Sequence, residues 1–421
     1  YYQRKLEMKS LLIDRPKVKM IYQKLSQPKN TVVDTRSAYQ RLSKYLKSIS
    51  VNDIIFQDAD FEYIDRSARR TQVTRLQNLD ISIAGLLIDS TSQFNRSKFY
   101  YTDDISVKLQ DYDFRTPDGL YDLKIKELNA SSRNKFARIA GFRLIPLFGE
   151  MAFSQKLPYQ NERYACRYDE IFLEDIDFKA FNTDRLLIAS KLKISNSNTN
   201  IFLNKAMPLD TNDRTLSFPQ VALRHLNLEA RIDSVFLNNS RFAYAEYSPI
   251  TELRGEVFFD QIEGLITNVT NDSLSLSKNP LSRARMTGLL MGRGRFDIGF
   301  DFNLTDKAAS FKLDGSVGNM NASLFNPILR PLTLVQIRSG FIEQMQFSFT
   351  GDLKSTKGKL SVKYNDLKIS ILKKKENTTR LKKMGIASMA ANVLVLNSEN
   401  PSPGQPFRTA RVQYSRPDSV S

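Results

Sequence analysis

A chain of 421 residues with a single histidine, a single cysteine and no tryptophan lacks the side chains from which most hydrolytic, nucleophilic and transition-metal sites are built. His225 and Cys166 alone supply neither a zinc site, nor a Cys–His pair with an orienting partner, nor a disulfide. We therefore expect no enzyme, no cofactor and no metal, with carboxylate-only catalysis the one route left open. The net charge of +17 raises nucleic acid as a partner. However, the basic residues are spread along the chain, and the one dense run, Lys373, Lys374, Lys375, Arg380, Lys382 and Lys383, adjoins an apolar stretch. That placement suits an anionic membrane surface better than a DNA groove.

In chain order, residues 1–30 are basic and broken by Pro16 and Pro28, and we read them as an irregular lead-in. The chain opens at Tyr1-Tyr2 without a methionine, which reads as an excised segment. It contains no signal peptide and no apolar run of about 18 residues. Tyr39, Leu42, Tyr45, Leu46 and Ile49 recur at helical spacing and predict an amphipathic helix over 34–49, with Asp34 or Thr35 as N-cap. It opens a first β region, 31–250, followed by a second, 251–421.

From there the period is two. Ile105-Val107-Leu109, Tyr121-Leu123-Ile125, Leu226-Leu228-Ala230-Ile232, Phe296-Ile298-Phe300-Phe302-Leu304, Met345-Phe347-Phe349, Leu360-Val362-Tyr364 and Leu367-Ile369-Ile371 each alternate with polar residues. Each predicts a strand with one apolar and one wet face. The intervening Thr116-Pro117-Asp118-Gly119, Thr350-Gly351-Asp352 and Asn365-Asp366 are turn signals, so the connections are hairpins rather than βαβ crossovers. The segments 54–63 and 235–244 share one form, a short apolar entry, a polar bend and an alternating aromatic strand, and 192–197 opens a third copy. Two later helices are expected, at 322–329 with Asn321 as N-cap and Pro331 as its end, and at about 379–394, before a last strand at 409–414.

Point motifs carry little. Gly292-Arg293-Gly294 precedes a strand, not a helix, and reads as a hairpin. Asp111/Asp113 and Asp175/Asp177 place carboxylate pairs on one strand face, a pattern commoner on solvated strands than in cation sites. His225 reads as the structural start of a strand, and Cys166 as inert.

The stretch that carries most information runs from Gly318 through Asn326-Pro327, Ile337-Arg338-Ser339-Gly340, Phe347-Ser348-Phe349-Thr350-Gly351 and Tyr364-Asn365-Asp366-Leu367-Lys368. Over about 286–414 this resembles the C-terminal part of AsmA-like envelope proteins, those of Bacteroidota in particular. There an Asn-Pro helix, an I-x-S-G strand start, an aromatic strand ending in Thr-Gly and a Y-x-D-L-K strand follow in this order. The family's N-terminal membrane helix and C-terminal aromatic amphipathic segment have no match in this chain.

The resemblance implies a mainly β fold: an elongated, curled, mostly antiparallel sheet forming an apolar groove, with a few short helices. It implies a lipid-transfer role in outer-membrane lipid homeostasis of a Gram-negative cell. The location would be the periplasm, with anchoring to the inner membrane by a segment absent from this chain and with envelope protein partners. The residues point the same way, because a long sheet with one apolar face must close on itself, pair with a second sheet, or hold an apolar guest. About twenty strands at roughly 4.8 Å would span on the order of 90–100 Å. The expected ligand is a phospholipid or other acyl lipid, not nucleic acid. Its lining would be Phe296, Ile298, Phe300, Phe302, Leu304, Phe311, Leu313, Met345, Phe347, Phe349, Leu360, Val362 and Tyr364, with the Lys373–Lys383 run facing headgroups. The rival reading is a structural or assembly protein of the envelope whose apolar face is a closed core.

Overall fold

The computed structural model describes residues 4–22, 37–66, 72–92, 98–209, 218–375, 378–383 and 397–415. As the alternating stretches predict, the chain is mainly β, a mixed and mostly antiparallel open sheet with short helices between strands. It divides into two compact units. One comprises Tyr1–Phe114, Lys124–Phe142 and Ile171–Ser190, the other Arg115–Leu123, Arg143–Glu170 and Lys191–Ser421.

In the first unit, β1 (Lys5–Asp14) and β2 (Lys17–Tyr22) run parallel to β3 (Ser48–Asp65). β3 pairs antiparallel with β4 (Gln72–Ile88), and β4 with β5 (Asp104–Arg115). The irregular lead-in is thereby corrected: 5–14 and 17–22 are strands, and 23–30 lie outside the described residues. Backbone pairing with β3 holds β1 and β2 although their side chains are largely exposed, so charge and low burial hid them from the pattern. Pro16 does interrupt the run. It sits between the pairs Asp14↔Gln57 and Lys17↔Asp60, at unchanged register, a place where no ladder donor is required.

A parallel return needs a crossover, and α1 (Ala38–Leu42) lies on it. Ser37 caps this helix by accepting from the Gln40 N–H at 3.1 Å, while the Gln40 side chain accepts from the Ser37 N–H at 2.8 Å. The helix expected over 34–49 is thus shorter, and 34–36 lie outside the described residues. From Ser48 the chain pairs with β1, and that ladder overrides the helical spacing of Ile49.

The expected bend at 54–63 is a β-bulge inside one long strand, not a hairpin. Asp58 takes φ 50°, and its N–H is held by the Asp80 carboxylate at 3.0 Å. Asn78 on β4 takes φ 55°. The residues after these two, Ala59 and Leu79, face each other and form a buried core with Leu109.

β6 (Tyr121–Ser131), β7 (Phe136–Pro146), β8 (Glu162–Glu174) and β9 (Leu186–Asn204) contribute residues to both units. In the second unit β9 pairs with β10 (Glu229–Tyr247). From β10 the ladder runs through β11 (Arg254–Thr270), β12 (Leu281–Leu290), β13 (Gly294–Asn303) and β14 (Phe311–Val317). The two-residue β15 (Met320–Asn321) and β14 both lie against β16 (Val335–Gly351), which pairs with β17 (Ser355–Lys374). β18 (Leu381–Lys383) and β19 (Thr409–Ser415) complete it, both on β17. The bulge recurs at Asn196 of β9 and Asn239 of β10, with φ 50° and 49°, where the Asn239 amide donates to the Asn196 side-chain oxygen at 2.7 Å. The repeated form read in the sequence is therefore a bulged strand.

Between elements the described helices are α2 (Glu150–Ser154), α3 (Phe178–Asp184), α4 (Pro219–Arg224), α5 (Ser273–Lys278) and α6 (Asn326–Thr333), none of which except α6 was expected. His225 ends α4 instead of starting a strand, and β10 begins at Glu229. The cause is Asn271, whose amide donates to the carbonyls of Leu223 and Leu228 at 3.1 and 3.0 Å and whose oxygen accepts from Ala230 at 2.7 Å. Gly292 lies in the β12–β13 hairpin, as expected.

The 3-10 turn Ala322–Phe325 and α6 replace the single helix expected at 322–329. Pro331 does not end it: the helix runs to Thr333 and stops at Leu334, which takes φ 58°. Only the bond from position 331 to the carbonyl of Pro327 is lost to the ring, and only one turn follows. The Asn365-Asp366 turn is likewise corrected. β17 is one strand of 20 residues, and Asp366, φ 51°, is in a bulge where Asp366 and Leu367 together face Gly340. Of the expected helix 379–394, residues 381–383 are a strand paired to β17, and 384–394 lie outside the described residues.

Asn326 explains the Asn-Pro pair. Its amide donates to the Ile337 carbonyl and its oxygen accepts from the Ile337 N–H, both at 2.8 Å, so one side chain stands in for a neighbouring strand at the start of β16. Ile337 is buried, and Asn326→Ala leaves both its backbone groups unpartnered. At about 1–3 kcal/mol for each orphaned group, we expect a loss of roughly 2–6 kcal/mol, read as the midpoint of urea unfolding. Asn326→Asp should fare little better, since a carboxylate cannot donate to the Ile337 carbonyl.

Candidate apolar binding face

Directly paired residues of an antiparallel sheet point to the same side, so the register assembles the face without further assumption. One row reads Val235, Ile266, Ala284, Phe300, Leu313, Phe349, Gly358, Val412 across eight strands. The adjacent row on that side reads Leu237, Gly264, Met286, Ile298, Gly315, Phe347, Leu360, Ala410. No position in either row carries a polar side chain. The opposite side is wet: one of its rows reads Thr267, Arg283, Asp301, Lys312, Thr350, Lys357, Gln413. Eight strands at roughly 4.8 Å make the apolar face about 34 Å wide.

The expected lining residues fall on this face but in two environments. Phe296 is buried with Val317, Met320, Ile337 and Ile342, against Leu324, Phe325 and Leu329 of the 3-10 turn and α6. Met345, Phe347, Val362 and Ile298 pack beside that core. Leu304 is also buried, just past the end of β13, where its N–H donates to the Pro280 carbonyl at 2.8 Å. Phe296 and Leu304 are therefore core residues, corrected from an open lining. Phe296 pairs directly with Gly288 and Val317 on that face, but alternation does not reveal which part of a face is covered.

Phe300, Phe302, Phe311, Leu313, Phe349 and Leu360 continue the face half-buried. Tyr364 is half-buried too, and its hydroxyl donates to the Asn397 carbonyl at 3.3 Å. The rings of Phe300 and Phe302 stack along β13 at 5.5 Å and 7°, and those of Phe347 and Phe349 along β16 at 6.0 Å and 28°.

Four glycines let these rings lie low. Gly288, Gly315, Gly351 and Gly358 stand directly opposite Phe296, Phe347, Phe311 and Phe349. At each, an added Cβ would fall within 3 Å of its partner's ring, at 2.8, 2.9, 2.6 and 2.4 Å. Each ring covers the backbone of the next strand, and the floor it makes is smooth. Sequence reading missed the glycines and the β10–β12 part of the rows. Small residues such as Ser282 and Ala284 blur the alternation there, although Ala284-Arg285-Met286-Thr287 still carries it.

The Lys373–Lys383 run forms a two-strand hairpin in which Lys373 pairs with Lys382 and Leu372 with Lys383. Lys373, Lys375, Arg380, Lys382 and Lys383 are exposed, and Lys374 pairs with Glu252 at 2.8 Å.

Neither carboxylate pair works as a pair. Asp113 binds Lys124 at 2.5 Å, while Asp111 takes φ 51°. Asp175 and Asp177 lie beyond the end of β8, where Asp175 accepts from Ser190 at 2.6 Å and Asp177 caps α3 through the Ala180 N–H at 2.9 Å. Among the described residues no cluster of three or more His, Cys, Asp or Glu is placed to hold a metal ion. Burial pushes the Cys166 thiol up from its ordinary range, away from the reactive thiolate. No helix among the described residues is long and apolar enough to cross a membrane, which says nothing of strands.

No family model matches the chain, and no curated protein matches it.

Proposed function

We propose that this chain is a lipid-binding and lipid-transferring segment of the AsmA-like kind. Acyl chains lie on the apolar face of β10–β17 and β19, while headgroups stay at its edge. The observation that carries the reading is the pair of cross-strand rows, eight positions each, with no polar side chain and with Phe300, Phe302, Phe311, Leu313 and Phe349 only half-buried. A face of this kind in water is unfavourable unless something apolar covers it. At about 0.8 kcal/mol per buried CH₂, two acyl chains bind firmly without a headgroup pocket. Movement along the face is passive, since a row of hydrocarbon contacts offers no deep well at any one position.

The resemblance over 286–414 supplies the setting. On that resemblance the proposed location is the periplasm, with attachment to the inner membrane and service in outer-membrane lipid balance. The reading as a closed structural core is favoured where the 3-10 turn and α6 cover Phe296, Met320 and Ile342, and again where α4 lies on the β13–β14 connection, with the Phe218 ring 6.2 Å from Phe311 and the Gln220 amide donating to the Ala309 carbonyl at 2.7 Å.

Native mass spectrometry of the chain purified from a Gram-negative host tests the proposal. Phospholipid masses should remain on the folded protein and be released by solvent extraction. A chain that is lipid-free both as purified and after incubation with phospholipid overturns it, and the closed-core reading then stands.

A further inference from the structure

We infer that the end of the second unit formed by the turn Ser248–Leu253 and the β17–β18 hairpin is a docking surface for an anionic phospholipid bilayer, with Ile250 entering the headgroup layer and the lysines neutralising it. The turn is built to present one apolar side chain. Ser248 and Thr251 are buried, while Ile250 between them is 69% exposed. The loop is closed by two backbone bonds, Ser248 N–H to the Leu253 carbonyl at 3.0 Å and Glu252 N–H to the Ser248 carbonyl at 2.9 Å. Thr251 then pins it to the fold, its hydroxyl donating to the Pro331 carbonyl of α6 at 2.7 Å. An exposed isoleucine alone is unremarkable on a protein surface. One held out on an anchored turn beside a cationic hairpin fits a headgroup boundary, where apolar tips and basic side chains act together.

The hairpin is attached to this turn through the Lys374–Glu252 ion pair at 2.8 Å, and the Leu372 N–H donates to the Leu334 carbonyl at 2.7 Å. Lys373 stands directly opposite Lys382, an arrangement that costs stability in isolation and is relieved by an anion. From Lys373 to Lys383 the sequence holds six basic residues and one acidic residue, Glu376. A bilayer satisfies both parts of the surface, whereas a nucleic acid would leave Ile250 unused. The inference is independent of lipid on the apolar face.

Sedimentation of the whole chain with vesicles tests it, using phosphatidylcholine alone or mixed with phosphatidylglycerol at a ratio of about 7:3, so that each basic residue near the surface meets anionic lipid. Binding should require the anionic lipid and weaken with salt. Lys373→Glu with Lys382→Glu should weaken it at least about 30-fold, since two such contacts are lost. Ile250→Asn should weaken it about 10-fold with the salt dependence unchanged, and Ile250→Leu should restore it. Variants are compared at unchanged melting temperature, and Lys373→Gln with Lys382→Gln replaces the charge reversal if that pair melts early.

Equal binding to neutral vesicles, or no effect of Ile250→Asn, overturns the inference. So does tight binding of duplex DNA by a chain that ignores vesicles. Lipid retained on the purified chain with no vesicle binding overturns it too, and leaves the proposed function standing.

Discussion

Phe300→Asp with Phe302→Asp is expected to strip bound lipid from the chain, by at least tenfold, while strand content by circular dichroism stays as it is. The two rings stack on each other, half-buried, and their cross-strand neighbours are Ala284 and Leu313 on one row and Ser282 and Phe311 on the next. Two carboxylates there keep access to water as long as the face is open, so the fold tolerates them. An acyl chain laid over them would have to desolvate both charges, at several kcal/mol each, which offsets much of what its own burial returns. Phe300→Leu with Phe302→Leu keeps the face apolar and should keep the lipid. Phe296→Asp is the contrasting variant, because that ring lies inside the core under α6. Loss of its packing and burial of an unpaired charge should unfold the unit. If the Phe300/Phe302 pair unfolds the chain as Phe296→Asp does, the face is a closed core and the lipid reading falls.

The difference between those two sites marks how far the sequence could be read. Alternation at 296–304 and 345–349 was enough to put these side chains on one side of their strands, and the ladders β13–β14–β16–β17 bear that out. It could not say that Phe296 is covered or that Leu304 is buried, because the 3-10 turn and α6 over the one, and α4 bound to the Ala309 carbonyl in the connection that follows the other, are distant from β13 in the chain. β1 and β2 went unseen because an edge strand held by backbone bonds needs no apolar pattern. The polar bends at Asp58 and Asn239 are bulges inside long strands rather than ends of strands. A left-handed residue serves a turn and a bulge alike, and only the partner strand's register separates them. The helix at 34–49 failed for a related reason: Ile49 serves a helical face and a strand equally well, and pairing with β1 settled which.

The low-lying aromatic rings lead to the sharpest stability prediction, since each depends on a missing Cβ. Gly358→Ala would put a methyl 2.2 Å from the Ser348 carbonyl oxygen and 2.4 Å from the Phe349 ring. The first of these is backbone in the middle of a ladder and cannot swing away, so a cost of about 3 kcal/mol or more is expected, at the upper end for overpacking. At roughly 2–4 °C per kcal/mol, that is a fall in melting temperature of about 6–12 °C. Gly351→Ala is different in kind. Its nearest neighbours are all side-chain atoms, the Phe311 ring at 2.6 and 2.8 Å and the Thr356 hydroxyl at 2.7 Å, so the ring can lift off the sheet. Lifting it lowers stability by about 1–3 kcal/mol and raises an obstacle in the floor, and retained lipid should drop with it. Phe311→Leu in the same chain removes the ring that must move, so the double variant should recover part of the loss, with a coupling of about 0.5–3 kcal/mol in a double-mutant cycle. Gly318→Ala is the control, because its only neighbour, the Arg295 carbonyl oxygen, is at 3.6 Å. It should leave stability unchanged or slightly raised. Additive effects of Gly351→Ala and Phe311→Leu would mean that the ring does not rest on the glycine, and the smooth floor would have to be abandoned.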